Sequence, residues 1–133
     1  MTRLYMLDTD ICSYLIQGTN AKLNRAVKRH DGALFMSAIT YHELLFGAVR
    51  CNSKRLADAV QALSKKISIQ PWTVEAAAIS SAIRSDLESK GQTIGVMDTM
   101  IAGSALSEEY TLVTNNIAHF SRISGLRIEN WAV

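Results

Sequence analysis

No apolar stretch in this sequence approaches the ~20 residues that a membrane-crossing helix needs. Asp8 and Asp10 interrupt the N-terminus where a secretory leader would carry its apolar segment. Together these absences point to a cytoplasmic home. Cysteine is scarce: Cys12 and Cys51 stand alone, at no metal-binding spacing. This excludes a disulfide scaffold and a zinc ribbon, and both thiols are expected to be small buried side chains. Charge of one sign is also missing. Fourteen Lys and Arg face twelve Asp and Glu, a net +2, which gives no argument for nucleic acid by itself. Clusters such as Lys22, Arg25, Lys28 and Arg29 read as solvated helix faces. There is no series of aromatics interleaved with basic residues, so Trp72 and Trp131 are expected to be core or edge anchors rather than base-stacking platforms. No repeat, linker or low-complexity segment divides residues 1–133, which read as a single domain.

What is present is a chain with enough apolar residues, 48% of the total, for a substantial core. Leu4, Tyr5, Met6 and Leu7 run without alternation into Asp8, the pattern of a strand buried on both faces of a parallel sheet. Ala33 to Met36, Ile67 to Ile69, Thr111 to Val113 and a segment near Arg127 to Glu129 read as further short strands. Helices are expected between them: 11–17 ending at Gly18, 20–29 capped by Asn20, 54–66, and a long one from Thr73 to about Lys90. Another opens at Ser37 or Thr40 and reaches about Cys51, burying Leu44, Leu45 and Val49, with Gly47 and Ala48 allowing close packing. A last one, rich in small residues from Ala102 to Ala105, opens at Asp98. Short buried strands alternating with helices specify an α/β fold with a mostly parallel sheet.

Three acids stand at comparable junctions. Asp8 follows the first strand, Glu43 is expected in the first turn of the helix after the second, and Asp98 begins the helix that leads into the fourth. In open α/β sheets ligands bind beyond the carboxyl ends of the strands, so these acids are expected to converge there. Three uncompensated carboxylates at close range repel, and a hard divalent cation resolves that repulsion through oxygen ligands. Each acid also has a purely structural reading. Asp8 can cap the next helix, and Asp98 can sit at a helix N-terminus favoured by the dipole. Glu43 can close a capping box with Thr40, in which the glutamate bonds back to the cap residue's N–H.

The residues that carry a wider likeness are Met6-Leu7-Asp8-Thr9-Asp10, Ser37-Ala38-Ile39-Thr40-Tyr41-His42-Glu43-Leu44 and Ile94-Gly95-Val96-Met97-Asp98-Thr99-Met100-Ile101-Ala102. They continue in Leu112-Val113-Thr114-Asn115-Asn116 and in the tail from Phe120 to Trp131. With these five segments in order, nearly the whole chain resembles a PIN-domain ribonuclease, and specifically a VapC-type toxin of bacterial toxin–antitoxin modules. The resemblance implies a PIN-like three-layer α/β/α sandwich around a mostly parallel sheet of four to five strands. It implies an Mg²⁺- or Mn²⁺-dependent endoribonuclease acting on structured RNA, with transfer RNA the expected class. Asp8, Glu43 and Asp98 take the family's metal-site positions, and Thr114 matches a hydroxyl residue nearby. The pattern often carries a fourth acid after the last core strand, where this chain has Asn115 and Asn116. An Asn at position 116 can hold water or phosphate but adds no charge. A VapB-like antitoxin partner and a homodimer are also implied.

Two rival functions remain. Asp8-Thr9-Asp10 fits the opening motif of aspartate-nucleophile phosphohydrolases, in which Asp8 would attack and Asp10 donate a proton. A PIN fold that binds RNA or a partner without cutting is the other, and its mark would be loss of an acid. His42 and His119 are candidates for a general base, a ligand or a phosphate contact, but a lone histidine is more often a packed or surface residue, and neither is assigned a role.

Overall fold

The computed structural model describes residues 2–133. Five strands, β1 (Tyr5–Leu7), β2 (Leu34–Ser37), β3 (Ser68–Gln70), β4 (Thr111–Val113) and β5 (Ile128–Glu129), pair in parallel in the order β3-β2-β1-β4-β5. They are linked by α1 (Thr9–Gln17), α2 (Ala21–Arg29), α3 (Ala38–Arg50), α4 (Lys54–Lys66), α5 (Val74–Ser89), α6 (Val96–Ser107) and the short α7 (Ile117–Phe120).

The unbroken apolar runs are explained by the two cores they separate. Alternate side chains of a strand point to opposite faces. Tyr5, Leu7, Leu34, Met36 and Val113 pack with Ile11 and Cys12 of α1, Leu23 of α2, Leu44 of α3 and Val60 of α4. Met6 and Leu112 pack on the other side with Ile83 and Leu87 of α5, Ile101 and Ala105 of α6, and Phe120 of α7. The result is the expected three-layer α/β/α sandwich, with five strands.

Helix ends follow the sequence closely. Gly18 closes α1 at φ 74°, a left-handed conformation that costs glycine little. Asn20, Ser53 and Thr73 cap α2, α4 and α5 through their side chains. Trp131 is an anchor as expected: it is buried, stacks on His30 at 4.6 Å and meets Tyr5 edge-on at 4.9 Å. Trp72 is tied by its indole N–H to the Met100 carbonyl.

Several expectations are corrected. Helix α3 is capped by Ser37, whose Oγ accepts from the Ile39 N–H at 3.1 Å. Thr40 therefore lies inside the first turn and Glu43 in the second, so the capping box of Thr40 with Glu43 does not form. Val49 is 77% exposed, because Leu44 and Ala48 already occupy the buried stripe of α3. Gly47 faces open space rather than a close neighbour. Cys51 is exposed, since it caps the C-terminus of α3 where the chain turns out through Asn52 at φ 50°. Asp98 does not open its helix: α6 begins at Val96, two residues earlier, with Gly95 as its cap.

The small residues of α6 let it lie against α5. Gly103 is the tightest point. A Cβ there would collide with the Ser80 hydroxyl and lie 2.8 Å from the Ala76 carbonyl oxygen. The neighbours are backbone as well as side chain, so they cannot swing away. Gly103→Ala is expected to destabilise the fold by about 1–3 kcal/mol, the usual cost of overpacking. A denaturant midpoint equal to that of the parent protein would show that the two helices separate more freely than this packing allows.

Candidate active site

Strand β1 sits at the centre of the sheet. The chain leaves it for β2 and β3 on one side, then returns to lay β4 and β5 on the other. That reversal makes a crevice at the carboxyl ends of β1 and β4, the usual ligand position of such sheets. Asp8 projects from the end of β1 and is only 4% exposed. Its Oδ1 accepts from the Thr9 N–H at 2.8 Å, and its Oδ2 accepts from the Thr114 hydroxyl at 2.8 Å. The first bond makes Asp8 the N-cap of α1. Its capping and its place at the site are thus compatible.

Glu43 arrives from the second turn of α3. Its Oε1 accepts from the Thr9 hydroxyl at 2.8 Å, and that hydroxyl lies 3.1 Å from the Thr40 Oγ1. Thr9 therefore ties α1 to α3 between the two acids. Asp98 stands in the first turn of α6 with its carboxylate turned toward Gly95, where an added Cβ would lie 3.5 Å from its Oδ2. Thr114, fully buried after β4, donates to Asp8 and accepts from the Asn116 N–H at 2.9 Å. The Asn116 side chain is engaged by His119, with Nδ2 and the ring Nδ1 2.9 Å apart.

Sequence reasoning missed Asp10 as part of this cluster and Thr9 as its clamp. Asp10 Oδ1 accepts from the Ile11 N–H at 2.7 Å and Oδ2 from the Asn115 N–H at 3.2 Å. Its position two residues after Asp8, in the same first helical turn, was the available signal. His42 is exposed on α3 and takes no part.

The electrostatics show that these acids share one environment. Burial, and then the Asp10 charge, push the Asp8 carboxyl up to about 7, against the lowering effect of its two hydrogen bonds; Asp98 adds a smaller push. Asp10 is raised by burial, with its hydrogen bonds opposing. Asp98 is raised by burial and then by the Glu43 charge, while His119 pulls the other way. None of the four acids is paired with Lys or Arg among the described residues. The acids do not close on one point. Among the described residues no three acid, histidine or cysteine side chains sit near enough together to clasp an ion by themselves. The donor set consists of carboxylate oxygens with excess negative charge. It fits a hard cation that keeps several waters, and it does not fit a soft-metal site.

The chain belongs to the PIN domain family, whose model matches residues 5–126. Among curated relatives, the tRNA(fMet)-specific endonuclease VapC of Shigella flexneri is 33% identical over 96% of this chain and 98% of its own length. Ribonuclease VapC2 of Haemophilus influenzae (strain ATCC 51907 / DSM 11121 / KW20 / Rd) is also 33% identical, over 96% of this chain and 97% of its own. Among solved structures, DNA-bound VapBC from Salmonella typhimurium superposes with a TM-score of 0.92 at 32% identity, covering 98% of this chain and 99% of that one. VapBC2 from Rickettsia felis, bound to a DNA fragment from its promoter, gives 0.89 at 32% identity over 96% and 98%. These likenesses bear out the expected family and the α/β/α architecture.

The raised Asp8 carboxyl has a consequence for stability. The folded chain holds this proton up to about pH 7, whereas an unfolded Asp releases it near ~3.9. Between those values the folded state binds more protons, so the Asp8 contribution to stability falls as pH rises through the window. Asp8→Asn is expected to leave the chelated protein more stable than the parent at pH 8, by on the order of a few kcal/mol at ~1.4 kcal/mol per pKa unit. The gap should close by pH 4. Urea unfolding of both proteins at the two pH values measures it, and a variant less stable at pH 8 would contradict the burial of an unneutralised charge.

Proposed function

We propose that this chain is the toxin of a toxin–antitoxin module, a metal-dependent endoribonuclease that hydrolyses phosphodiester bonds in structured RNA in the cytoplasm. The observation that supports the reading is the electrostatic coupling of Asp8, Glu43 and Asp98, none of them paired with Lys or Arg among the described residues: burial raises the proton affinity of Asp8 and Asp98, and Asp98 adds to the rise at Asp8 as Glu43 does at Asp98. Asp8, Glu43 and Asp98 would hold Mg²⁺ or Mn²⁺. Bound there, the cation supplies neutralisation of their charge and Lewis-acid polarisation of a phosphodiester. Thr114 fixes the rotamer of Asp8 from β4, and Thr9 fixes Glu43 from α1. Asn116 acts as a positioning residue, because its amide is already engaged by His119.

The names of the relatives support the substrate class and partner. Transfer RNA is the expected RNA, and an initiator transfer RNA is the first to test, by analogy with the Shigella flexneri relative. A VapB-like antitoxin is the expected partner, given VapBC structures of the same fold. A homodimer is expected, with Phe46 (55% exposed) and Val49 of α3 as the apolar surface available to it. Retention of all three acids argues against a non-cleaving module. The phosphohydrolase reading lacks the further acids that such enzymes need after later strands, because β4 leads into Asn115 and Asn116.

Cleavage of initiator transfer RNA is expected to stop in chelator and return with Mg²⁺ or Mn²⁺; full activity in chelator removes the metal from the mechanism. Glu43→Gln separates charge from hydrogen bonding at that position. Gln can still accept from Thr9 but cannot help hold a hard cation, so the variant should fold normally and lose at least ~100-fold in cleavage rate, about 2.7 kcal/mol of transition-state stabilisation. Wild-type cleavage by Glu43→Gln would overturn the three-acid site. Calorimetry should find Asn116→Ala unchanged in Mn²⁺ affinity and Asp98→Asn weakened; a loss in Asn116→Ala would make Asn116 a direct ligand.

A further inference from the structure

The site as described is built almost wholly of acceptors. Asp8, Asp10, Glu43 and Asp98 offer carboxylate oxygens, and an RNA phosphate offers more of the same. The hydroxyl donors are committed: Thr9 donates to Glu43 and Thr114 donates to Asp8. The backbone N–H groups of Thr9, Ile11, Asn115 and Asn116 are committed as well. An anionic substrate brought against this cluster needs a donor that is not already engaged.

His119 meets that need. It lies on α7, shortly after β4, within electrostatic range of Asp98. Its Nδ1 is 2.9 Å from Asn116 Nδ2. With the Asn116 amide turned this way, Nδ2 donates and Nδ1 accepts, which leaves the ring proton on Nε2. No side chain or carbonyl among the described residues takes the Nε2–H. The orientation is set from the site itself. Asp8 holds Thr114, Thr114 Oγ1 receives the Asn116 N–H at 2.9 Å, and the Asn116 amide then meets the ring.

We propose that Asn116 is a positioning residue that fixes the tautomer of His119, and that the His119 Nε2–H donates to a non-bridging phosphate oxygen of the RNA beside the acid cluster. The inference rests on the ribonuclease reading above and deepens it. It assigns a substrate-facing donor to a side chain that neither the acid pattern nor the metal explains. Because the contact is to substrate in its ground state as well as later, its loss should appear in KM more than in kcat.

Steady-state cleavage of initiator transfer RNA with Mn²⁺, by parent and variants, tests the contact. His119→Ala should raise KM about tenfold with kcat within about twofold, the scale of one charge-assisted hydrogen bond. His119→Gln should restore KM to within about threefold, since its amide N–H reaches the place of Nε2. His119→Asn reaches only the place of Nδ1 and should behave as His119→Ala. The tautomer is read separately, without RNA or metal, from ¹⁵N–¹H correlation spectra of the imidazole. The parent should be protonated at Nε2, and Asn116→Leu should give a mixture of tautomers and part of the KM rise. An active parent whose KM is unmoved in His119→Ala, or equally raised in Gln and Ala variants, overturns the phosphate contact and leaves the ribonuclease reading standing. A ring protonated at Nδ1 in the parent overturns the role of Asn116. A parent that cleaves no RNA with either cation overturns the ribonuclease reading and this inference with it.

Discussion

The carboxylate of Asp8, buried at the end of the central strand, is the constraint around which the molecule is arranged. A buried charge without a partner is costly, and proteins normally avoid it or neutralise it. Here the cost is reduced but not removed. One backbone N–H and one hydroxyl hold the two oxygens, yet burial and the neighbouring Asp10 still push the group up to about 7. The fold tolerates this because the position is fixed by strong packing. Met6 and Leu7 are fully buried on opposite faces of the sheet, and β1 is flanked by β2 and β4.

The scaffold has only one place to put such groups. Both faces of a parallel sheet covered by helices are apolar, so polar chemistry is driven to the strand ends. The order β3-β2-β1-β4-β5 opens a crevice at one of those ends. Asp8 enters it from β1, Thr114 from β4 and Glu43 from the helix after β2. Asp98 comes from the first turn of α6, a helix held against α5 at Gly103, where no side chain fits. A change at Gly103 therefore shifts the element that carries Asp98, even though it lies in the helix packing and not in the crevice.

Much of this was legible in the sequence, and the reasons are local. Asn20, Ser53, Thr73 and Gly18 mark helix ends by chemistry that acts within three or four residues, so their roles could be read directly. The strands could be read because double burial leaves an unbroken apolar run. Both Ser37 and Thr40 are good caps, and the chain used the first. Propensity could not choose between them. Thr40 instead meets Thr9, 31 residues away. Thr9 and Asp10 were missed for the same reason. Their partners, Glu43 and Asn115, lie 34 and 105 residues away, and no local pattern records such a pairing. Val49 was misplaced because helical period alone does not say how wide the buried stripe is.

The choice of partners for the acids explains how they can stay available. A Lys or Arg beside Asp8 or Glu43 would lower its proton affinity and keep it ionised. It would also occupy the oxygens with a permanent positive charge that any incoming cation must displace. The chain instead uses Thr9, Thr114 and backbone N–H groups, which are neutral donors. Each fixes a carboxylate rotamer at 2.8 Å without cancelling its charge. The lysines and arginines that do form ion pairs, Arg3, Lys54, Arg84 and Lys90, are spent on exposed partners elsewhere. Orientation and neutralisation are thus separated in this site. The protein supplies the first through hydroxyls and amides, and it leaves the second to whatever cation the carboxylates receive. The cost of that separation is raised proton affinity: burial lifts Asp8, Asp10 and Asp98, and neighbouring carboxylates add to the rise at Asp8 and Asp98.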